Sequence, residues 1–553
     1  MRIFTSILLL TIVFSSCAPK KQENVELKPA APFVWEGANI YFLLTDRFNN
    51  GNTANDLNYN RTNETGVLRG FEGGDIAGIT QKIEENYFTD LGINAIWFTP
   101  VVEQVHESVD EGTGVTYAYH GYWAKDWTAL DPNFGTKEDL KKMVEAAHAK
   151  GIRVVMDGVI NHTGPVTAQD PVWPSNWVRT SPLCKYQDYD STVNCTLVEN
   201  LPDVLTASTE NVELPTHLVE KWKAEGRYEQ EVKELDEFFA RTGYPRAPKF
   251  YIIKWLTDYI REFGVDGYRA DTVKHTDELV WQEFKTECDV AFAEWKANNP
   301  ELVLDDTNFY TVAEVYNYGI SGGRYFDFGD KKVDYFDKAF QSSINFEFKW
   351  NVAQTDTYEA LFSRYSSILN NELKGYGVLN YLTSHDDGQP FDKDRTKTFE
   401  AATKLLLSPG ASQVYYGDES ARNLIVEGAV GDATLRTFMN WDAIANNSET
   451  KMLLTHYQKL GQFRVNHPSV GAGVHKMITE SPYVFQRTFS KGDYSDAVIV
   501  ALDLKEIKKE ISVGTIFKDN EVVYDAYSDS ELIVKNGKVV FSSPYPIVLL
   551  EKK

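Results

Sequence analysis

Gly264-Val265-Asp266-Gly267-Tyr268-Arg269-Ala270-Asp271-Thr272-Val273-Lys274-His275 opens as an apolar strand and closes in a run of ionisable side chains. Arg269 and Asp271 are two residues apart, so on a strand of period two they point to the same side. A guanidinium beside a carboxylate favours the ionised form, which suits a carboxylate that attacks as a nucleophile. In isolation the same pair reads as an ion pair at a strand end. What surrounds the stretch decides between the two.

Short apolar runs alternate with helical patterns along most of the chain, as in a parallel sheet with crossover helices. Candidate strands are Ile40–Thr45, Ile93–Phe98, Ile152–Asp157, Val265–Asp271, Phe309–Val315, Val333–Phe336, Val378–Ser384 and Gln413–Tyr416. Among the intervening helices, Lys137–Lys150 has Thr136 as N-cap, an apolar face of Leu140, Met143, Val144 and Ala147, and Gly151 as its stop. Eight such units predict an α/β fold, a (β/α)8 TIM barrel with its reactive groups at the carboxyl ends of the strands. An open doubly wound sheet is the alternative. Polar residues at successive strand ends favour closure.

The connection from Asn161-His162 to Val265 is about a hundred residues, far longer than one crossover helix needs, and predicts an inserted subdomain over 164–248. After the helical pattern Met452–Val465, alternation broken by turns (Tyr483–Phe489, Asp496–Ala501, Glu531–Val534, Val539–Phe541) predicts an antiparallel β domain over 466–553. The barrel then comprises 33–163 and 249–465.

Of 553 residues 42% are hydrophobic and 25% charged, an ordinary globular balance. The net charge of -24 repels a phosphate backbone and excludes nucleic acid as a partner class. Met1-Arg2, the apolar run Ile3 to Phe14 and Ser15-Ser16-Cys17 resemble a bacterial lipoprotein signal, with Phe14 in place of the more usual leucine. The expectation is a signal over 1–16, lipidation of Cys17, a polar tether over 17–32, and a place in the cell envelope with membrane contact only through the lipid. In that oxidising compartment Cys184 and Cys195 are the natural disulfide pair, and Cys288, on a helical pattern, is a buried thiol. Neither a Cys-x-x-Cys nor a His-Glu-x-x-His zinc pattern is present.

Three carboxylates end three strands: Asp271, Glu314 in Thr311-Val312-Ala313-Glu314-Val315, and Asp386 in Thr383-Ser384-His385-Asp386. Together with Ile40-Tyr41-Phe42, Thr45-Asp46-Arg47-Phe48, Gly73-Gly74-Asp75, Tyr119-His120-Gly121-Tyr122-Trp123 and Asp157-Gly158-Val159-Ile160-Asn161-His162, these segments resemble the alpha-amylase family of glycoside hydrolases. The resemblance covers nearly the whole mature chain. It implies retaining hydrolysis of α-1,4-glucosidic bonds in starch or maltooligosaccharides, with Asp271 as nucleophile, Glu314 as acid/base and Asp386 as the third carboxylate. It further implies substrate contacts from Tyr122, His162, Arg269, Lys274, His275 and His385. Trp123 reads as core, and Ser384 stands where many members carry asparagine.

Calcium is the implied cofactor. By resemblance, Asn161, Asp203 and the His275 carbonyl would pin the inserted subdomain, and the placement of Cys184 and Cys195 just before Leu201-Pro202-Asp203 supports their pairing. A second set, Asn50, Asn52, Asn55, Asp56, Gly73 and Asp75, resembles the additional calcium loop of cyclodextrin glycosyltransferases; taken alone, it reads equally as a turn. Three functions stay open: an α-glucan hydrolase, a cyclodextrin-degrading or transglycosylating relative, and a non-catalytic glucan-binding surface lipoprotein. A monomer is the expected state.

Overall fold

The computed structural model describes residues 31–553; Cys17, the leader and the tether other than Ala31 and Pro32 lie outside the described residues. Eight parallel strands close into a barrel: β1 Asn39–Leu43, β2 Ala95–Phe98, β3 Arg153–Gly158, β4 Gly267–Ala270, β5 Tyr310–Ala313, β6 Ser342–Asn345, β7 Gly377–Asn380 and β8 Ala411–Tyr415. Each pairs with its sequence neighbour, and β1 closes on β8 with Ile40 opposite Gln413. This is the architecture expected from the alternating pattern.

The sixth strand is a correction. Val333–Phe336 is not in the barrel: Lys332-Val333 pairs antiparallel with Phe326-Asp327, and Tyr335–Lys338 is a helical turn capped by the Asp334 side chain. The barrel uses Ser342-Ser343-Ile344-Asn345 instead, where only Ile344 is apolar although all four are buried. Burial there is tolerated because the polar groups are partnered: Asn345 Nδ2 donates to Asn380 Oδ1 at 2.8 Å and to the Tyr365 hydroxyl at 3.1 Å. An apolar-run criterion therefore passes over it.

The approach to β4 explains its sharp start. Helix Pro248–Phe263 has proline in its first turn and ends at Gly264, whose φ is 73°. A Cβ at Gly264 would lie 2.0 Å from Trp295 Cε2, so only glycine allows this turn to pack against helix Glu278–Asn298. On the other side Trp255 stacks at 6.3 Å on both Trp127 and Trp177, tying the helix to segments before and after β3. Helix Lys137–Ala149 starts as its sequence predicts, with Thr136 and Asp139 forming a reciprocal capping box.

Between β3 and β4 lie the two-stranded pair Val178–Arg179 with Asp203–Val204, the Cys184–Cys195 disulfide, and helices Thr216–Ala224 and Tyr228–Thr242. Beyond helix Ser448–Asn466, a six-stranded antiparallel sheet forms from β9 Val474–Thr479, β10 Tyr483–Lys491, β11 Tyr494–Leu502, β12 Val522–Asp525, β13 Ser530–Ile533 and β14 Val548–Lys552, in the order β9-β10-β11-β14-β12-β13. With the separate antiparallel pair Lys508–Ser512 and Lys538–Ser542 it forms a small apolar core around Val484, Ile499, Ile511, Val539 and Leu550. His467, at the end of the last long helix, joins it to the barrel by bonding Asp496 at 2.8 Å and Glu551. Among the described residues no helix is long and apolar enough to cross a membrane.

Candidate active site

The registers of β3, β4 and β5 build the centre. Arg269 lies opposite Asp157 on one side and Val312 on the other. Asp271 and Glu314 follow one step beyond the paired strands, held by Asp271 N–H to the Gly158 carbonyl and Glu314 N–H to the Ala270 carbonyl, each at 3.0 Å. The buried guanidinium of Arg269 then meets three carboxylates: Nη1 contacts Asp157 Oδ1 and Asp271 Oδ1 at 2.8 Å, and Nη2 contacts Glu314 Oε1 at 3.0 Å. Asp157 was legible as a strand-end carboxylate but has no role in the sequence reading. Here it anchors the site from below, accepting also from Tyr122 Oη at 2.8 Å and Trp97 Nε1 at 3.1 Å.

Glu314 is 7% exposed. Burial pushes its carboxyl up to about 8; Asp271 and Asp386 push the same way, against Arg269 and the Thr272 N–H. A carboxyl so placed carries a proton at neutral pH and can donate it. Thr272 is the second residue that the sequence reading missed. Its φ of 49° puts a non-glycine residue in the left-handed region, and its N–H donates to Glu314 Oε2 at 2.8 Å. Nothing in the sequence marks such a backbone state.

Asp386 stands at the mouth of the cleft, its side chain 38% exposed. Desolvation works against its ionisation, but His385, Arg269, Arg436 and the Ser384 hydroxyl outweigh it and hold its carboxyl below the usual range. Ser384 Oγ donates to Asp386 Oδ1 at 3.0 Å, so the serine that departs from the family pattern orients the third carboxylate. Tyr122 presents a half-buried ring stacked on His385, with centroids 5.2 Å apart. Burial lowers both His162 and His385, the latter to about 4, so both rings are neutral. His162 Nε2 faces the Tyr122 carbonyl at 3.1 Å, which makes it the protonated nitrogen and leaves the buried Nδ1 as an acceptor without a partner.

On the other side of Glu314, Lys274 Nζ donates to the Tyr316 carbonyl at 3.3 Å and lies 5.1 Å from the Tyr316 ring and 5.8 Å from that of Tyr186. Both tyrosines are half exposed. His275 is held by the inserted segment: its Nδ1 meets the Thr192 carbonyl at 3.1 Å, inside the loop closed by the disulfide. That pairing ties β4 to the segment before it. Trp123, by contrast, is buried against Val105 and Ala118.

The two oxygen-rich sets are also in place. Asn161, Asp203 and His275 are each buried, with Asn161 Nδ2 donating to Asp203 Oδ1 at 2.7 Å, Thr276 Oγ1 donating to Asn161 Oδ1 at 3.1 Å and Arg179 Nε 3.2 Å from Asp203 Oδ2. Burial raises the Asp203 carboxyl to about 8, against the Arg179 guanidinium and the Asn161 amide. In the early loop, Asp75 accepts from the N–H groups of Gly51, Asn52 and Gly78, and Asn50 Nδ2 donates to Asp56 Oδ1 at 2.9 Å. Gly73 packs so close that a Cβ would fall 2.8 Å from Asp56 Oδ1, and Asn55 Oδ1 is buried without a donor. Asn52 instead caps the next turn through Ala54 N–H. Among the described residues no three His, Cys, Asp or Glu side chains gather as a metal site; both sets rely on amide and carbonyl oxygens, which suit calcium.

The family described as alpha amylase, catalytic domain, matches residues 42–473. The chain is 34% identical over 509 residues to the periplasmic alpha-amylase of Escherichia coli strain K12, covering 82% of this chain and 70% of that protein. It is 28% identical to the cyclomaltodextrin glucanotransferase of Geobacillus stearothermophilus, over 84% of this chain and 59% of that enzyme, so it spans a little over half of the transferase. A solved alpha-amylase from Geobacillus thermoleovorans, complexed with acarbose, superposes with a TM-score of 0.63 over 94% of this chain and 100% of its own, at 21% identity. That last likeness is one of fold.

Proposed function

The chain belongs to the alpha-amylase family of glycoside hydrolases, and from that premise we propose that it cleaves α-1,4-glucosidic bonds of starch or maltooligosaccharides with retention of configuration. The observation that carries this reading is one guanidinium shared by Asp271 and Glu314, with Glu314 raised to about 8. Asp271 Oδ forms a bond to the anomeric carbon while the bond from that carbon to the leaving oxygen breaks. Glu314 gives its proton to that oxygen. Water then loses a proton to the Glu314 carboxylate and attacks the same carbon, releasing Asp271. Asp386 and His385 bind hydroxyls of the cleaved sugar, and Tyr122 supplies a face for its ring. Lys274 and Tyr316 lie along the departing chain.

The transfer reading differs only in the second step, where a sugar hydroxyl replaces water. It is favoured by Tyr186 and Tyr316 flanking Lys274, a place where an acceptor sugar would be retained. Incubation of soluble starch with the wild-type protein and with Asp271→Asn separates the alternatives. Short linear maltooligosaccharides, absent with the variant, are the expected products. Cyclic or lengthened glucans would establish transfer, and starch bound without any release of sugar would overturn catalysis altogether.

Asn161, Asp203 and the His275 carbonyl would hold calcium between the barrel and the 164–248 segment, and Asn50, Asn55, Asp56, the Gly73 carbonyl and Asp75 would hold a second ion. A calcium ion held there would add positive charge beside Asp203 and act as a structural clamp. Chelation is expected to lower Tm, with about 2.7 kcal/mol lost if calcium had been a hundredfold above its Kd, and Asp203→Asn should remove most of that response. A Tm indifferent to chelator would sink the assignment. The similarity to a periplasmic enzyme supports placement in the cell envelope, with Cys17 as the proposed lipid-bearing residue.

A further inference from the structure

Tyr316, two residues beyond Glu314, is not the end of the aromatic surface. A cavity of about 860 Å³ continues outward from it, lined by Tyr325, Phe326 and Trp350 on one side and by Glu347, Asp387 and Gln389 among the polar groups. Tyr316, Tyr325 and Trp350 are 50%, 54% and 43% exposed. Three large rings left open in one concave surface forgo burial that each could have contributed to the core, so they mark a binding site.

The surface is built rather than incidental. Lys349 lies 4.6 Å over the Trp350 ring and is itself ion-paired with Asp387. Asp387 also accepts from the Tyr381 hydroxyl at 2.7 Å, and its own N–H donates to Ser384 Oγ at 3.2 Å. Through these bonds the Trp350 ring is positioned by the same Ser384–Asp387 turn that carries Asp386. At the near end, Lys274 Nζ sits 5.7 Å from the Phe326 ring and 5.1 Å from that of Tyr316, so the cavity begins where the leaving side of the cleft does.

We propose that Tyr325 and Trp350 form a distal platform for the leaving segment of an α-glucan, beyond the sugars held at Lys274 and Tyr316, and that they set the preference for long chains. This rests on the glucan-hydrolase reading above. The chemistry fits a neutral, polyhydroxylated chain. Rings offer faces to the apolar side of each sugar, while Asn317, Glu347, Asp387 and Gln389 between them accept or donate hydroxyl hydrogen bonds. An anionic membrane surface would be repelled by those carboxylates.

The test compares maltotriose with maltoheptaose. Trp350→Ala should lower kcat/KM for maltoheptaose about tenfold and leave maltotriose within about twofold, with Tyr325→Ala acting in the same direction. Calorimetric binding of both sugars to Glu314→Gln protein, with and without Trp350→Ala, reads the platform without turnover, and the same contrast is expected there. Equal effects on the two sugars, or unchanged maltoheptaose binding, would overturn the platform. Failure of the hydrolase reading shows separately, as wild-type protein that turns over neither sugar.

Discussion

Glu314→Gln is expected to lower kcat on starch by about 10²–10⁴-fold with little change in fold, because the amide keeps the shape and its oxygen still accepts from Arg269 or from Thr272 N–H. The loss should shrink on a glucosyl substrate whose leaving group needs no proton, such as fluoride. An equal loss on both would remove Glu314 from the acid role. The same residue sets the alkaline limb. Its carboxyl, raised by burial to about 8 with Asp271 and Asp386 adding to the rise, is protonated below that pH and loses its proton as pH passes through it, so kcat/KM falls above about pH 8. Any stability that the neutral form contributes follows the same sign: full below the ordinary glutamate range, and lost as pH rises through about 8. Asp386→Asn removes one of the two negative charges that raise Glu314. On its residual activity the limb should therefore move to lower pH, and a limb that stays put or rises would break the electrostatic account.

Arg269→Met should be the most damaging single change to stability at this site, about 3–5 kcal/mol. One guanidinium, 1% exposed, serves Asp157, Asp271 and Glu314, and methionine leaves three buried carboxylates facing one another. The loss depends on pH with a definite sign. Burial already holds Asp157 up at about 6; without the arginine Asp157 and Glu314 take protons more readily, so acid neutralises them and the penalty shrinks. Urea denaturation at pH 5 and pH 8 measures it, and an equal loss at both values would mean that packing, not charge, is responsible. Arg269→Lys separates stability from activity. A single ammonium restores charge but cannot fork between Asp271 on one arm and Glu314 on the other, so stability should recover more than kcat does.

The barrel was legible because its strands are short apolar runs whose polar residues fall at the carboxyl ends, and Asp271 and Glu314 were legible as strand ends, whereas Asp386 lies in the turn well beyond β7, which stops at Asn380. Ser342–Asn345 was not, since its buried polar side chains are satisfied by Asn380 and Tyr365, residues distant in sequence. Asp157 could have been found by the same strand-end rule that found Asp271. No pattern announces that Thr272 adopts a positive φ, that Ser384 holds Asp386, or that Trp350 is steadied through Lys349 and Asp387.

The amino-acid sequence by itself determined the fold class, the segments that resemble the family and the chemical types at the strand ends, because periodicity and side-chain chemistry are local properties. Only the tertiary structure decided which carboxylate shares a guanidinium with which, which is raised by burial and which stands open to the cleft, and where exposed rings line up beyond Tyr316. Those depend on register between strands far apart in the chain and on desolvation by neighbours, and neither is a property of any one stretch.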